Sequence, residues 1–98
     1  MSDRPSIDPG RPRILMYSTG MCPYCLRAEA LLKSKGSAGI DKVRIDLDAA
    51  RREEMMTRTG KRTVPQIYIG DTYVGGFDEL HALDRAGKLD ALLAGTGN

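Results

Sequence analysis

Two rhythms of apolar and polar positions run along this chain, and the changes between them mark its elements. From Arg13 to Ser18 the run Ile14-Leu15-Met16-Tyr17 is continuously apolar, which predicts a short strand covered on both faces. A turn at Thr19-Gly20 follows. Cys25, Ala28, Leu31 and Leu32 then recur at helical spacing and predict a helix that ends near Ser34, with Gly36 as its C-terminal cap. Val43-Arg44-Ile45-Asp46-Leu47 alternates apolar with charged residues, the pattern of a strand with one buried face. Strand, helix and strand in such short order predict a βαβ unit with parallel strands and a right-handed crossover.

Asp48 is placed to cap a helix from Ala49 to Thr59 that stops at Gly60, with Glu54 and Arg58 one turn apart. Met55 and Met56 within it read as core filler. Pro65-Gln66-Ile67-Tyr68-Ile69, Gly70-Asp71 and Thr72-Tyr73-Val74 predict a hairpin, broken by Gly75-Gly76. Asp78 is expected to open a helix through Leu80, Leu83 and Ala86, and Leu89 to Leu93 supplies a last apolar patch. The sum is an α/β domain, a four-stranded mixed β-sheet flanked by helices. Residues 1–12, rich in proline and poor in apolar side chains, read as a disordered leader. The domain then spans 13–94, and 95–98 is a flexible tail.

Composition narrows the picture. A chain of 98 residues, 41% hydrophobic and 29% charged, holds one soluble core, and 5% aromatic residues make that core mostly aliphatic. The net charge of +2 is spread over interleaved bases and acids, which argues against a nucleic-acid partner. No apolar run approaches the length of a membrane span and the first residues lack the core of a signal peptide, so a cytoplasmic protein with no membrane partner is expected. In that reducing compartment a cysteine pair is more often catalytic than structural.

Both cysteines lie in Met21-Cys22-Pro23-Tyr24-Cys25-Leu26-Arg27, where strand gives way to helix. At such a junction Cys22 takes the N-cap and Pro23 the first helical position, where a missing N–H costs nothing. Cys22 then faces the free amides of Tyr24 and Cys25 and the positive end of the helix dipole, which is expected to bring its pKa below the roughly 8.5 of a free cysteine. Cys25 sits one turn deeper. Cys22 is therefore the expected nucleophile and Cys25 the resolving thiol. A zinc site needs about four ligands, more than two cysteines and His81 supply without dimerisation. A structural disulfide across so short a loop constrains the unfolded chain very little. Two inert, partly buried thiols are the remaining alternative. His81, alone on its helix, receives no catalytic role.

Cys22-Pro23-Tyr24-Cys25, Thr63-Val64-Pro65 and Gly75-Gly76-Phe77-Asp78, in that order and spacing, resemble the dithiol glutaredoxins, similar to the small bacterial glutaredoxin 3 type, from about Arg13 to Leu93. The resemblance implies a thioredoxin fold with Pro65 cis and facing the disulfide. Proline has no donor to spend there, and the backbone of Val64 is left free for an extended thiol substrate. The resemblance further implies glutathione as co-substrate, with Tyr24 lining the thiol site and Thr63 and Val64 pairing with its cysteine backbone. Gly76, Phe77 and Asp78 are implied to take the γ-glutamyl end. A helix start at Asp78 suits this, since its free N–H groups face a carboxylate while Asp78 accepts from an ammonium or caps the helix. Lys61 and Arg62 are candidates for the glycine carboxylate.

The chain also departs from the family pattern. Thr19 stands three residues before Cys22, where the family usually has lysine, which implies a less acidic thiol and weaker glutathione binding. Phe77 stands where many relatives carry a third cysteine. The implied activity is glutathione-dependent reduction of protein disulfides and protein–glutathione mixed disulfides by a monomer with transient protein partners and no metal. One alternative is a redoxin regenerated by thioredoxin reductase, against which Thr63, Gly76 and Asp78 speak. Another is a dimer holding a glutathione-ligated 2Fe–2S cluster through Cys22, which Pro23 disfavours.

Overall fold

The computed structural model describes residues 12–36 and 39–95, so the leader read over 1–12 and the tail read over 95–98 lie outside the described residues except for Pro12 and Gly95. The element order is β1 (Ile14–Ser18), α1 (Pro23–Ser34), β2 (Ile40–Arg44), α2 (Ala49–Thr59), β3 (Gln66–Ile69), β4 (Thr72–Gly75), α3 (Phe77–Arg85) and α4 (Leu89–Leu93). The strands form one sheet in the order β2-β1-β3-β4. β1 runs parallel to β2 and antiparallel to β3, and β3 is antiparallel to β4.

The two faces of the sheet carry two cores, because successive side chains of a strand point to opposite sides. Ile14 and Met16 of β1 and Ile67 and Ile69 of β3 face one way, where they meet Cys25, Ala28 and Leu32 of α1, Leu80 of α3 and Leu89 of α4. Met16, Leu32, Ile67, Leu80 and Leu89 are fully buried there. Each contributes about 1.5–3 kcal/mol by leaving water, so this face dominates the stability of the domain. On the opposite face Tyr17 packs with Ile45 and with Met55 of α2, flanked by Leu15, Val43, Met56 and Tyr68. The Tyr17 hydroxyl donates to Glu54 and accepts from Arg58 at 2.9 Å, so this polar atom under α2 is bonded twice.

The helices begin and end where their local chemistry directs. Asp48 caps α2 by accepting from the amides of Ala50 (3.0 Å) and Arg51 (3.3 Å), and Gly60 closes it with φ 73°. Lys35 and Gly36 end α1 by donating to the carbonyls of Leu31, Leu32 and Lys33. The Lys35 ammonium also reaches Asp84 of α3 at 2.6 Å, which ties the end of α1 to the next helix of that face.

Two boundaries differ from the sequence pattern. β2 covers Ile40–Arg44 and not Val43 to Leu47, since β1 ends at Ser18 opposite Arg44 and offers no partner further along. One last bond, from the amide of Ile45 to the Ser18 carbonyl at 2.9 Å, precedes the turn, and Leu47 is left 73% exposed. α3 starts at Phe77 with Gly76 as its N-cap, so Asp78 is the second residue of the helix and not its cap.

Candidate active site

Cys22 caps α1 from extended backbone (φ −143°, ψ 101°), Pro23 follows at the first helical position, and the Cys22 sulfur accepts the amide of Cys25 at 3.2 Å. A sulfur takes the place that a serine or aspartate oxygen fills at an ordinary helix start. β1 brings it there, at the carboxyl end of a central strand, the edge at which open α/β sheets place their sites. The loop between strand and cap is held from β2's end: Asp46 accepts the Gly20 amide at 3.2 Å and is gripped by Arg44 through two bonds of 2.8 Å. That grip holds the Asp46 carboxyl far below the usual carboxylate range, with the Arg44 bonds as the largest cause and the Gly20 amide as a smaller one.

The two thiols are unequal. Cys22 is half-buried and Cys25 buried. Burial first, then the neighbouring Cys22 sulfur, push the Cys25 thiol from an ordinary 9.0 up to about 12, against a smaller pull from the Thr19 backbone. Cys25 is therefore a thiol at neutral pH. The placement read from the chain, with Cys22 outside and Cys25 deeper, matches this geometry.

Across from Cys22, the Val64–Pro65 peptide bond is cis, and the Cys22 thiol points at the Val64 carbonyl, 3.9 Å away. Val64 and Pro65 begin the wall of an open groove of about 510 Å³ that also takes in Tyr24, Lys61, Thr63, Gly76, Phe77 and Asp78. Tyr24 and Phe77 sit ring to ring at 6.2 Å and form its apolar shoulder beside the thiols. The structure thus gathers almost every residue singled out in the sequence. Arg62 is the departure. It is exposed and does not line the groove, whereas Lys61 and Thr63 on either side of it do.

The far end of the groove is built by two glycines. Gly75 has φ 112°, a conformation closed to other residues at low cost, and a Cβ on Gly76 would stand 3.3 Å from the Pro65 carbonyl. Small residues here let the start of α3 lie against the cis-proline. Glu79 reaches back to accept the Gly76 amide at 2.8 Å, which leaves Asp78 free of a capping duty at the groove. Gly75 of the same motif lies on the lining too, and Glu79, Gln66, Tyr73 and Val74, which were not singled out as site residues in the sequence, complete it. For Glu79 a signal existed, since an acid three positions after a helix cap is the reciprocal half of a capping box. Gln66 and Tyr73 carried none.

The glutaredoxin family model matches residues 14–74, the stretch that contains both thiols, the cis-proline and the hairpin. The chain belongs to the glutaredoxin family. The glutaredoxin of Pseudomonas aeruginosa is 51% identical to it over 83 residues, covering 85% of this chain and 98% of that protein. Glutaredoxin 3 of Escherichia coli K12 is 53% identical over 78 residues, covering 80% and 93%. In three dimensions the chain is similar to the solution structure of a Brucella melitensis glutaredoxin, with TM-score 0.78, 44% identity and coverage of 91% and 95%. It is similar also to a buckwheat glutaredoxin solved as a complex with glutathione, with TM-score 0.78, 29% identity and coverage of 88% and 80%. The fold of this glutaredoxin is thus the thioredoxin fold, a four-stranded mixed sheet flanked by helices, and its Cys22–Cys25 pair is that of a thiol–disulfide oxidoreductase.

Proposed function

We propose that this glutaredoxin uses glutathione to reduce protein disulfides and protein–glutathione mixed disulfides, as a monomer of the cytoplasm that meets its protein partners transiently. The observation that carries the proposal is the groove itself: it leads from Val64, whose carbonyl the Cys22 thiol reaches, to the start of α3. At one end Val64 offers a backbone N–H that is outside the sheet, beside the carbonyl that the Cys22 thiol reaches. At the other, the first amides of α3 suit a carboxylate and Asp78 suits an ammonium, the two charges of a γ-glutamyl group. Lys61 is the cation on the lining for the glycine carboxylate, in place of Arg62.

The chemistry follows from the inequality of the thiols. Cys22, as thiolate, attacks the glutathionyl sulfur of a mixed disulfide, and the protein substrate leaves as a thiolate that takes up a proton. A second glutathione, as thiolate, attacks the Cys22–glutathione bond and leaves glutathione disulfide and free Cys22. With a protein disulfide, Cys22 instead becomes bonded to the substrate. Two of the causes that hold Cys25 protonated, the hydrogen bond with Cys22 and its charge, vanish once that sulfur is in a disulfide. Cys25 then gives its proton to the departing substrate thiolate, attacks Cys22 and closes the internal disulfide, which two glutathiones reduce again.

Glutathione-driven reduction of a glutathionylated peptide, with wild type beside Cys25→Ser, tests this. Turnover by both is expected, since Cys22 alone handles glutathione adducts. Turnover by neither, together with reduction of the wild type by thioredoxin reductase, would overturn the glutathione reading.

A further inference from the structure

Gln66 is a buried polar side chain that the mechanism above does not use. It opens β3, one residue past the cis-proline, is 4% exposed, and turns toward the α2 face of the sheet. Its Nε2 donates to the Thr63 carbonyl at 2.9 Å and to Thr63 Oγ1 at 3.3 Å, while its Oε1 accepts the Tyr73 hydroxyl. Both donor hydrogens and the acceptor oxygen of the carboxamide are thus committed. Tyr73 decides the orientation. Its O–H donates to the amide oxygen, and a flipped amide would turn that oxygen on the Thr63 carbonyl, acceptor against acceptor. Burial raises the Tyr73 hydroxyl above its ordinary 10.0, so it stays a donor. Tyr73 is itself held in place by its β-sheet partner Tyr68, ring to ring at 5.1 Å, with Arg58 over the other ring at 4.2 Å.

The Thr63 carbonyl matters because of the peptide unit to which it belongs. In a trans peptide the C=O and the following N–H point in opposite directions. Drawing the Thr63 carbonyl toward Gln66 therefore turns the Val64 N–H away from it. On the reading of Val64 as the substrate-pairing backbone, we propose that Gln66 and Tyr73 are a positioning couple that aims the Val64 N–H at the backbone of the bound thiol substrate. They lie along the groove without a bond to either thiol and act on Val64 through Thr63, so they govern how well a peptide thiol docks and not how fast Cys22 exchanges.

The test compares two substrates in Gln66→Met, which keeps size but loses the donors, and in Tyr73→Phe, which frees the amide. One substrate is a glutathionylated peptide under glutathione turnover. The other is 4,4′-dithiodipyridine, which has no peptide backbone, reduced by the protein in a single turnover. KM for the glutathionylated peptide should rise about ten-fold in Gln66→Met and about three-fold in Tyr73→Phe, the effects of losing one to two hydrogen bonds. kcat and the dithiodipyridine rate should stay within about two-fold of wild type. Unchanged KM in both variants, or a parallel fall of both substrates with loss of folded protein, overturns the couple. Failure of the wild type to turn over the glutathionylated peptide overturns the underlying reading as well, and so separates the two.

Discussion

The protonation of Cys25 makes a quantitative prediction about its reactivity. Its thiol is pushed from 9.0 up to about 12, so at any pH below 9 it carries about a thousandth of the thiolate of an ordinary cysteine. A more basic thiolate is also a better nucleophile, with a Brønsted coefficient of about 0.4–0.5, which returns about 16- to 32-fold over three pKa units. Ionisation alone therefore slows alkylation of Cys25 about 30- to 60-fold, and its 4% exposure slows it further. The assay is a time course with iodoacetamide at pH 8 on the reduced protein, with each cysteine followed by peptide mass spectrometry. Cys22 should be modified first and Cys25 at least about 30-fold more slowly than the same residue in urea-unfolded protein. In Cys22→Ser, where no neighbouring thiolate can form, burial remains the largest cause and Cys25 should stay slow, though less so. Modification of native Cys25 within a few-fold of the unfolded rate would refute the reasoning.

The same shift links stability to pH. The unfolded chain gives up the Cys25 proton near 9.0 and the folded one holds it to about 12, so this contribution is whole below pH 9 and is lost as pH rises toward 12. Urea midpoints of the reduced protein should fall faster between pH 8 and 10.5 than those of Cys25→Ala, and parallel curves would contradict the shift. Gly75→Ala puts a side chain at φ 112° with its Cβ 3.0 Å from Glu79 Oε1, which also displaces the cap of α3; a loss of about 2–4 kcal/mol in urea unfolding is expected. Tyr17→Phe removes buried bonds to Glu54 and Arg58 and should cost about 1.5–3 kcal/mol by the same measurement, with a neutral result counting against that network. Asp46→Asn should leave the urea midpoint nearly unchanged, since the Arg44–Asp46 pair is exposed, yet speed hydrogen exchange at the Gly20 amide that Asp46 holds.

Much of the site is legible in the sequence alone. The N-cap position of Cys22, Pro23 behind it, the Asp48 and Gly60 limits of α2 and the turn at Gly70-Asp71 are local events, decided by residues within one helical turn or one hairpin of each other. Residues of all three motifs meet at one groove, which the fold assembles from the start of α1, the segment leading into β3, the end of β4 and the start of α3. What escaped were matters of neighbourhood. Arg62 and Lys61 are chemically alike and adjacent, and only the fold shows that Lys61 lines the groove and Arg62 does not. Asp78 had the right residue type for a cap, but the turn at Gly75 puts the cap two residues earlier, at Gly76, and hands the side-chain duty to Glu79.

By itself the sequence determined the kinds and limits of most elements, the order of the two thiols and the family to which they belong, because periodicity, capping and proline position act over a few residues. Only the tertiary structure decided where β2 stops, since a strand ends where its partner does. It alone decided how firmly Cys25 keeps its proton, since burial is a property of everything packed around a group. And it alone joined Gln66 to Tyr73 and Thr63 across a cis-proline, since hydrogen bonds between side chains depend on which strands lie side by side.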